Sequence, residues 1–115
     1  MTQMRERGMA TAEFAATMPA VALVFVAGLT AVATGIDQVR CVDAARLAAR
    51  ALARGDPGTT AARLAMSAAP VGATVSLGAA DALVSASVTV VRIVPVAGLS
   101  WTVSGSAVAA REGGP

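Results

Sequence analysis

Glu13 is the ionisable residue whose surroundings most need explaining. It stands at the mouth of an apolar run from Phe14 to Ile36 that carries no charged side chain. A carboxylate at the edge of an apolar helix is costly and is kept where it has a partner or a task. No cation follows it until Arg40, and Arg7, six residues back, is on the wrong face for a pair across one helical turn. The plainest role is a helix-start glutamate, stabilised by the helix dipole and headgroup water. The default for an acid in this position is functional.

The remaining chemistry is sparse. There is no histidine, which removes the commonest general base, the usual serine and cysteine triads and most zinc sites. No glycine-rich phosphate loop, metal-ligand cluster or nucleophile with a base is visible, so no catalytic, cofactor or metal residue is expected, and no small-molecule substrate. Cys41 stands alone, so no disulfide forms within the chain. Its plain role is a small, partly buried residue; its sharper role is an intermolecular disulfide to another chain. Asp56 and Asp81 fall in expected turns, where aspartate serves the backbone.

All nine cations are arginine, against seven acids, and the pI is near 10.0. That balance would suit nucleic acid, but only Phe14, Phe25 and Trp101 offer a stacking surface, and most arginines follow one helix. Binders of DNA or RNA combine a basic groove with stacking platforms, so no nucleic-acid partner is expected.

These residues need elements to hold them. The chain has 115 residues, enough for one small domain, yet 56% are apolar and mean hydropathy is +0.68. Part of it therefore belongs in lipid. The run from Phe14 to Ile36 covers roughly 35 Å as a helix, enough for a bilayer core of about 30 Å. Arg5, Glu6 and Arg7 precede it, and flanking positive charge keeps that end in the cytoplasm. An uncleaved signal anchor fits. So does a secretory signal cut after Ala31-Val32-Ala33, although the run exceeds the usual h-region of about 7–15 residues. Pro19 removes the hydrogen bond to the Ala15 carbonyl and should kink or loosen the helix. Small residues four apart, Ala12, Ala16 and Ala20, then Ala27, Ala31 and Gly35, favour close helix packing.

From Asp37 to Arg54 the pattern turns amphipathic. Asp37, Arg40, Asp43, Arg46, Arg50 and Arg54 form one side and read as a solvated face, with some attraction to anionic lipid. Val39, Val42, Ala45, Ala49 and Leu52 form the other. Asp43 is placed to pair with Arg40 and Arg46, at about 0.2–0.5 kcal/mol each. With no breaker before it, one helix is expected from about Ala12 to Arg54. Gly55-Asp56-Pro57-Gly58 is a stop and turn. Thr59 or Thr60 can then cap a short helix ending near Ala69, before Pro70. Alternation over Ala73 to Leu77, Leu83 to Val94 and Ser100 to Ala109 predicts three antiparallel strands, with a loop from Pro95 to Leu99. The apolar side is Val84, Ala86, Val88 and Val90, with Trp101 and Val103. So thin a sheet must pack on a helix. The expected fold is α+β: a long N-terminal helix, a short second helix and a three-stranded antiparallel sheet.

The order of the parts carries a resemblance. Arg5-Glu6-Arg7-Gly8-Met9-Ala10-Thr11-Ala12-Glu13-Phe14 is a short charged leader ending in glycine, then an apolar stretch with one acid five residues after it. One membrane helix follows, then Arg40-Cys41-Val42-Asp43-Ala44-Ala45-Arg46 and a small strand-rich end. This resembles a TadE-like minor pilin, or pseudopilin, of the tight-adherence (Flp) type IV pilus systems. The resemblance implies cleavage between Gly8 and Met9 by a prepilin peptidase, methylation of the new N-terminus, and a role for Glu13 in assembly. The amine freed on Met9 would then be a partner for Glu13, most naturally on a neighbouring subunit. Met9 departs from the larger first residue that pilins often carry. The strand-rich end argues for a minor subunit, because the major pilins of the family are much shorter.

These readings divide the chain into a leader over 1–8, a transmembrane helix over 9–36, a small extracytoplasmic α+β domain over 37–110 and a loose tail over 111–115. The expected function is non-enzymatic: a single-pass subunit of the bacterial cytoplasmic membrane, N-terminus inside and C-terminal domain outside, acting in pilus assembly. Its expected partners are prepilin peptidase, other pilin subunits and membrane lipid, in a fibre that serves adhesion or DNA uptake. The alternative is an unprocessed single-pass envelope protein whose outer domain binds another protein.

Overall fold

Alanine is by far the commonest residue in the first half of the chain, and it propagates helix best. The computed structural model describes residues 2–94 and 98–112. Its elements run α1 (Thr2–Ala53), α2 (Gly58–Ala68), β1 (Thr74–Ala80), β2 (Leu83–Val94) and β3 (Leu99–Ala110). This is the expected α+β architecture. The chain divides into two compact units, Met1–Ala33 and Thr34–Pro115.

The first unit is helical throughout its described length. The helix begins ten residues before the expected Ala12, because the polar leader also carries good helix formers. It runs unbroken through Pro19. Every side chain from Arg5 to Leu29 is exposed. The threonine hydroxyls turn back on the helix: Thr11 donates to the Arg7 carbonyl at 2.9 Å, Thr17 to Phe14 at 2.9 Å and Thr30 to Val26 at 2.8 Å. Such back-bonding satisfies a hydroxyl within its own helix.

The second unit holds the core. There α1 ends in a Schellman motif: Gly55, at φ 93°, donates to the Leu52 carbonyl at 3.0 Å, and Asp56 donates to Ala51 at 3.0 Å. The Glu112 amide caps Ala53 at 2.8 Å. Arg54 reaches over the turn to Asp56 at 3.2 Å. The second helix departs from expectation at its start. Pro57 takes the cap position and no side chain caps the helix; the Thr60 and Ala61 amides bond to the Pro57 carbonyl instead. Pro70 ends α2 by forcing Ala69 into an extended conformation. A turn from Pro70 to Ala73 follows, closed by a 3.2 Å bond, with Gly72 at φ 84°.

The sheet is antiparallel in the order β1-β2-β3. Asp81 sits in the β1–β2 turn at φ 55°, a conformation aspartate tolerates. Residues 95–97 of the expected loop and residues 113–115 of the expected tail lie outside the described residues. Within the sheet, Val84, Ala86, Val88, Val90 and Val103 are buried, as their alternation requires. Ala86, Val88, Val90 and Val103 meet Cys41, Ala44, Ala45, Ala48, Ala49 and Ala51 of α1, with Ala61 and Ala65 of α2. The buried side of α1 is thus lined by small residues. Val39, expected among them, is 60% exposed.

Gly105 explains why small residues serve. A Cβ added there would lie 2.5 Å from the Val42 amide nitrogen and 2.6 Å from the Cys41 carbonyl carbon. The backbone of β3 therefore rests on the backbone of α1, at a distance only glycine permits.

Candidate functional site

The sequence nominates residues in the helical first unit. Gly8 is exposed, with nothing within 4 Å of the place its Cβ would occupy. Met9 beside it is 66% exposed. Glu13 lies one turn further along, also exposed, and makes no ion pair among the described residues. Gly8, Met9 and Glu13 are thus all exposed residues within α1. Beyond Glu13, the helix shows its largest apolar side chains outward: Phe14, Leu23, Val24 and Phe25 are each about two-thirds exposed or more. Burying one such side chain is worth about 1.5–3 kcal/mol, and the first unit buries none of them. This helix is long and apolar enough to cross a membrane.

Past Ile36 the structure revises the reading of two residues. Asp37 was expected on the solvated face and is instead buried at 8% exposure. Arg92 on β2 reaches it with two bonds, Nε to one carboxylate oxygen at 2.7 Å and a terminal nitrogen to the other at 2.9 Å. A further Arg92 nitrogen donates to the Val71 carbonyl at 3.4 Å. The hydrogen bond from Arg92 holds the Asp37 carboxyl below the usual carboxylate range, against the opposing effect of burial. The same bond raises Arg92 further above neutrality. One signal in the sequence points to this pair: Arg92 shares the parity of Val84 to Val90, so it points inward and needs an acid. Next to Asp37, the Gln38 side chain donates to the Ser104 carbonyl at 2.9 Å.

Cys41 is fully buried beneath β3, its sulfur 3.9 Å from the Val103 carbonyl oxygen. Burial, and then the nearby Asp37 charge, push its thiol upward, away from the reactive thiolate. An interchain disulfide would need the sheet to lift from the helix. The small buried residue is the role that fits the folded chain.

Neither ion pair expected of Asp43, with Arg40 or with Arg46, forms among the described residues. Of the charged row on α1, Arg40, Asp43, Arg46, Arg50 and Arg54 remain exposed as expected. Trp101 lies on the inward side of β3, half-buried, with its indole nitrogen enclosed and unpartnered. No known protein family, characterised protein or solved structure matches the chain.

Proposed function

We propose that this protein is a non-enzymatic, membrane-anchored assembly subunit, a TadE-like minor pilin of a tight-adherence type IV pilus system. The observation that carries the reading is the helical first unit. Its uncovered apolar side chains from Phe14 onward need lipid or neighbouring helices, and its exposed Gly8 and Glu13 sit at the spacing of a prepilin signal. In this reading a prepilin peptidase cuts after Gly8 while the helix lies in the cytoplasmic membrane. The amine freed on Met9 of one subunit then meets the Glu13 carboxylate of another. That pairing removes two charges from a setting where either alone is costly. The unit from Thr34 onward stays outside and joins the fibre or its base.

The mature N-terminus tests this directly. Intact mass of the protein from cells with an active prepilin peptidase should correspond to a start at Met9, with N-methylation, and to an unprocessed chain when the peptidase is deleted. A full-length chain in peptidase-positive cells sinks the proposal and leaves an unprocessed envelope protein. Glu13→Ala should leave membrane insertion intact and disrupt assembly; unchanged piliation removes the role given to Glu13.

A second reading has one specific observation behind it. The unit that contains the core begins at Thr34, immediately after Ala31-Val32-Ala33. A signal peptidase cut there would release that unit from the membrane. A mature start at Thr34 in the same mass measurement would establish it in place of the pilin reading.

A further inference from the structure

Arg46 and Arg50 lie one turn apart on the exposed side of α1, so their Cβ atoms stand roughly 6 Å from one another. Neither makes an ion pair among the described residues. With Asp43 and Leu47 of α1 and Ala68 of α2 they line an open groove of about 410 Å³. Its lining carries two arginines and one acid, Asp43. Setting aside Arg5, Arg7, Glu6 and Glu13, seven arginines face five acids. Two of those acids, Asp37 and Asp56, are already engaged by Arg92 and Arg54. Within the groove Asp43 faces both Arg46 and Arg50, which leaves one positive charge over.

We propose that this groove is a docking site for an acidic segment of a partner protein. Two carboxylates one helical turn apart on that segment match the spacing of Arg46 and Arg50. An apolar side chain between them rests on Leu47 and Ala68. Paired guanidiniums suit carboxylates because each offers a planar fork of donors. Asp43 at the same groove accepts an amide or a cation from a peptide, so the segment needs its two carboxylates placed on the arginine side. Nucleic acid fits poorly, since no aromatic side chain lines the groove to stack a base. Bilayer phosphate fits poorly on distance. Arg46 and Arg50 stand about 15 and 21 Å beyond Ile36 along the helix, while the headgroup layer is about 5–8 Å deep. A second copy fits poorly because its surplus charge past Ile36 has the same sign. The proposal goes beyond the pilin reading and holds whether or not the chain is cut after Gly8.

The test uses the full chain in nanodiscs of zwitterionic lipid. The probe is a fluorescent, end-blocked alanine-based helical peptide with two glutamates four residues apart and a leucine between them, read by anisotropy at low salt. Saturable binding is expected, absent for the same peptide with glutamine in place of glutamate. Arg46→Gln/Arg50→Gln should weaken it about tenfold or more while leaving the thermal melt unchanged, and Arg63→Gln should leave it as it is. Equal binding of the glutamine peptide, or binding that ignores the double substitution, overturns the proposal. So does tighter binding through Arg46 and Arg50 of an oligo-dT strand or phosphatidylglycerol vesicles. Self-association lost in the double variant would assign the groove to a second copy and overturn it equally.

Discussion

From Phe14 to Ile36, α1 holds phenylalanine, leucine and valine side chains outward with nothing of its own chain to cover them. From Cys41 to Ala53, the same helix turns alanines inward onto a sheet and buries them fully. By side-chain area the first stretch has far more to gain from burial, at roughly 25 cal/mol per Å². The second stretch gains from approach instead. Its small side chains let β3 come so near that Gly105 touches the helix backbone. Hydrophobicity therefore does not tell which part of this helix packs on its own chain. Side-chain size and the presence of a complementary glycine do. The large residues stay exposed, on a helix long and apolar enough to cross a membrane.

The comparison breaks most visibly at Gly105. Gly105→Ala should cost about 3 kcal/mol or more, since the new methyl meets backbone that has no rotamer to yield. For a domain of this size the melting temperature of the second unit should fall by about 12 °C or more, read by circular dichroism. Gly28→Ala is the matched control on the first stretch, where nothing lies within 4 Å. Its melt should be unchanged. Equal effects of the two would mean that close approach is not what holds the sheet to the helix.

The reciprocal change is Leu23→Arg, at a side chain 71% exposed. In water such a substitution is nearly free. In a bilayer centre an arginine costs about 2.5–3.5 kcal/mol to insert. The fraction of protein in the membrane pellet should drop, while the melt of the second unit stays as in the parent chain. Unchanged pelleting would show that this stretch is covered by something other than lipid.

Asp37 marks the point where the helix changes regime, and its effect is smaller. Its folded carboxyl is depressed by Arg92, so the pair contributes stability fully above the unfolded carboxylate value of about 3.9. That contribution is lost as pH falls through the lower folded value. Asp37→Asn should lower the melting temperature near neutral pH by about 4–8 °C, because Arg92 is partly solvated. Between about pH 5 and pH 2 the variant's melt should change less with acid than that of the parent. A parallel pH dependence in both proteins would remove Asp37 as its source.

Much of this was legible in the residues. Strand alternation placed Val84, Ala86, Val88, Val90 and Val103 inside, because a period of two leaves a half-buried strand no other choice. The glycine and proline at 55 and 57 marked the end of α1 for reasons local to the backbone. The pairing of Asp37 was not legible from helical spacing, since its partner is 55 residues away. Only the inward parity of Arg92 carried that information. Val39 was misplaced because the buried side of the helix runs through Asp37, Cys41, Ala44 and Ala48, and Val39 stands roughly 200° from Asp37 around the helix. Gly8 and Glu13 stand exposed on α1, and the role their spacing suggests is the one proposed above.

Trp101 offers the smallest effect and the sharpest reading of what close packing costs. It is the largest side chain against the core of the second unit, yet its indole nitrogen is enclosed without an acceptor. An unpaired buried donor costs about 1–3 kcal/mol. Trp101→Phe removes that donor and loses part of the ring, whose burial is worth a similar amount at about 25 cal/mol per Å². The two should nearly cancel, leaving the melting temperature within about 4 °C of the parent. A fall as deep as that of Gly105→Ala would mean the indole nitrogen is satisfied in solution and the ring fills space a phenyl leaves empty. A clear rise would show that the unpaired donor outweighs the lost ring contacts. In that case the sheet tolerates it for the sake of a seat on α1 that the alanines alone do not fill.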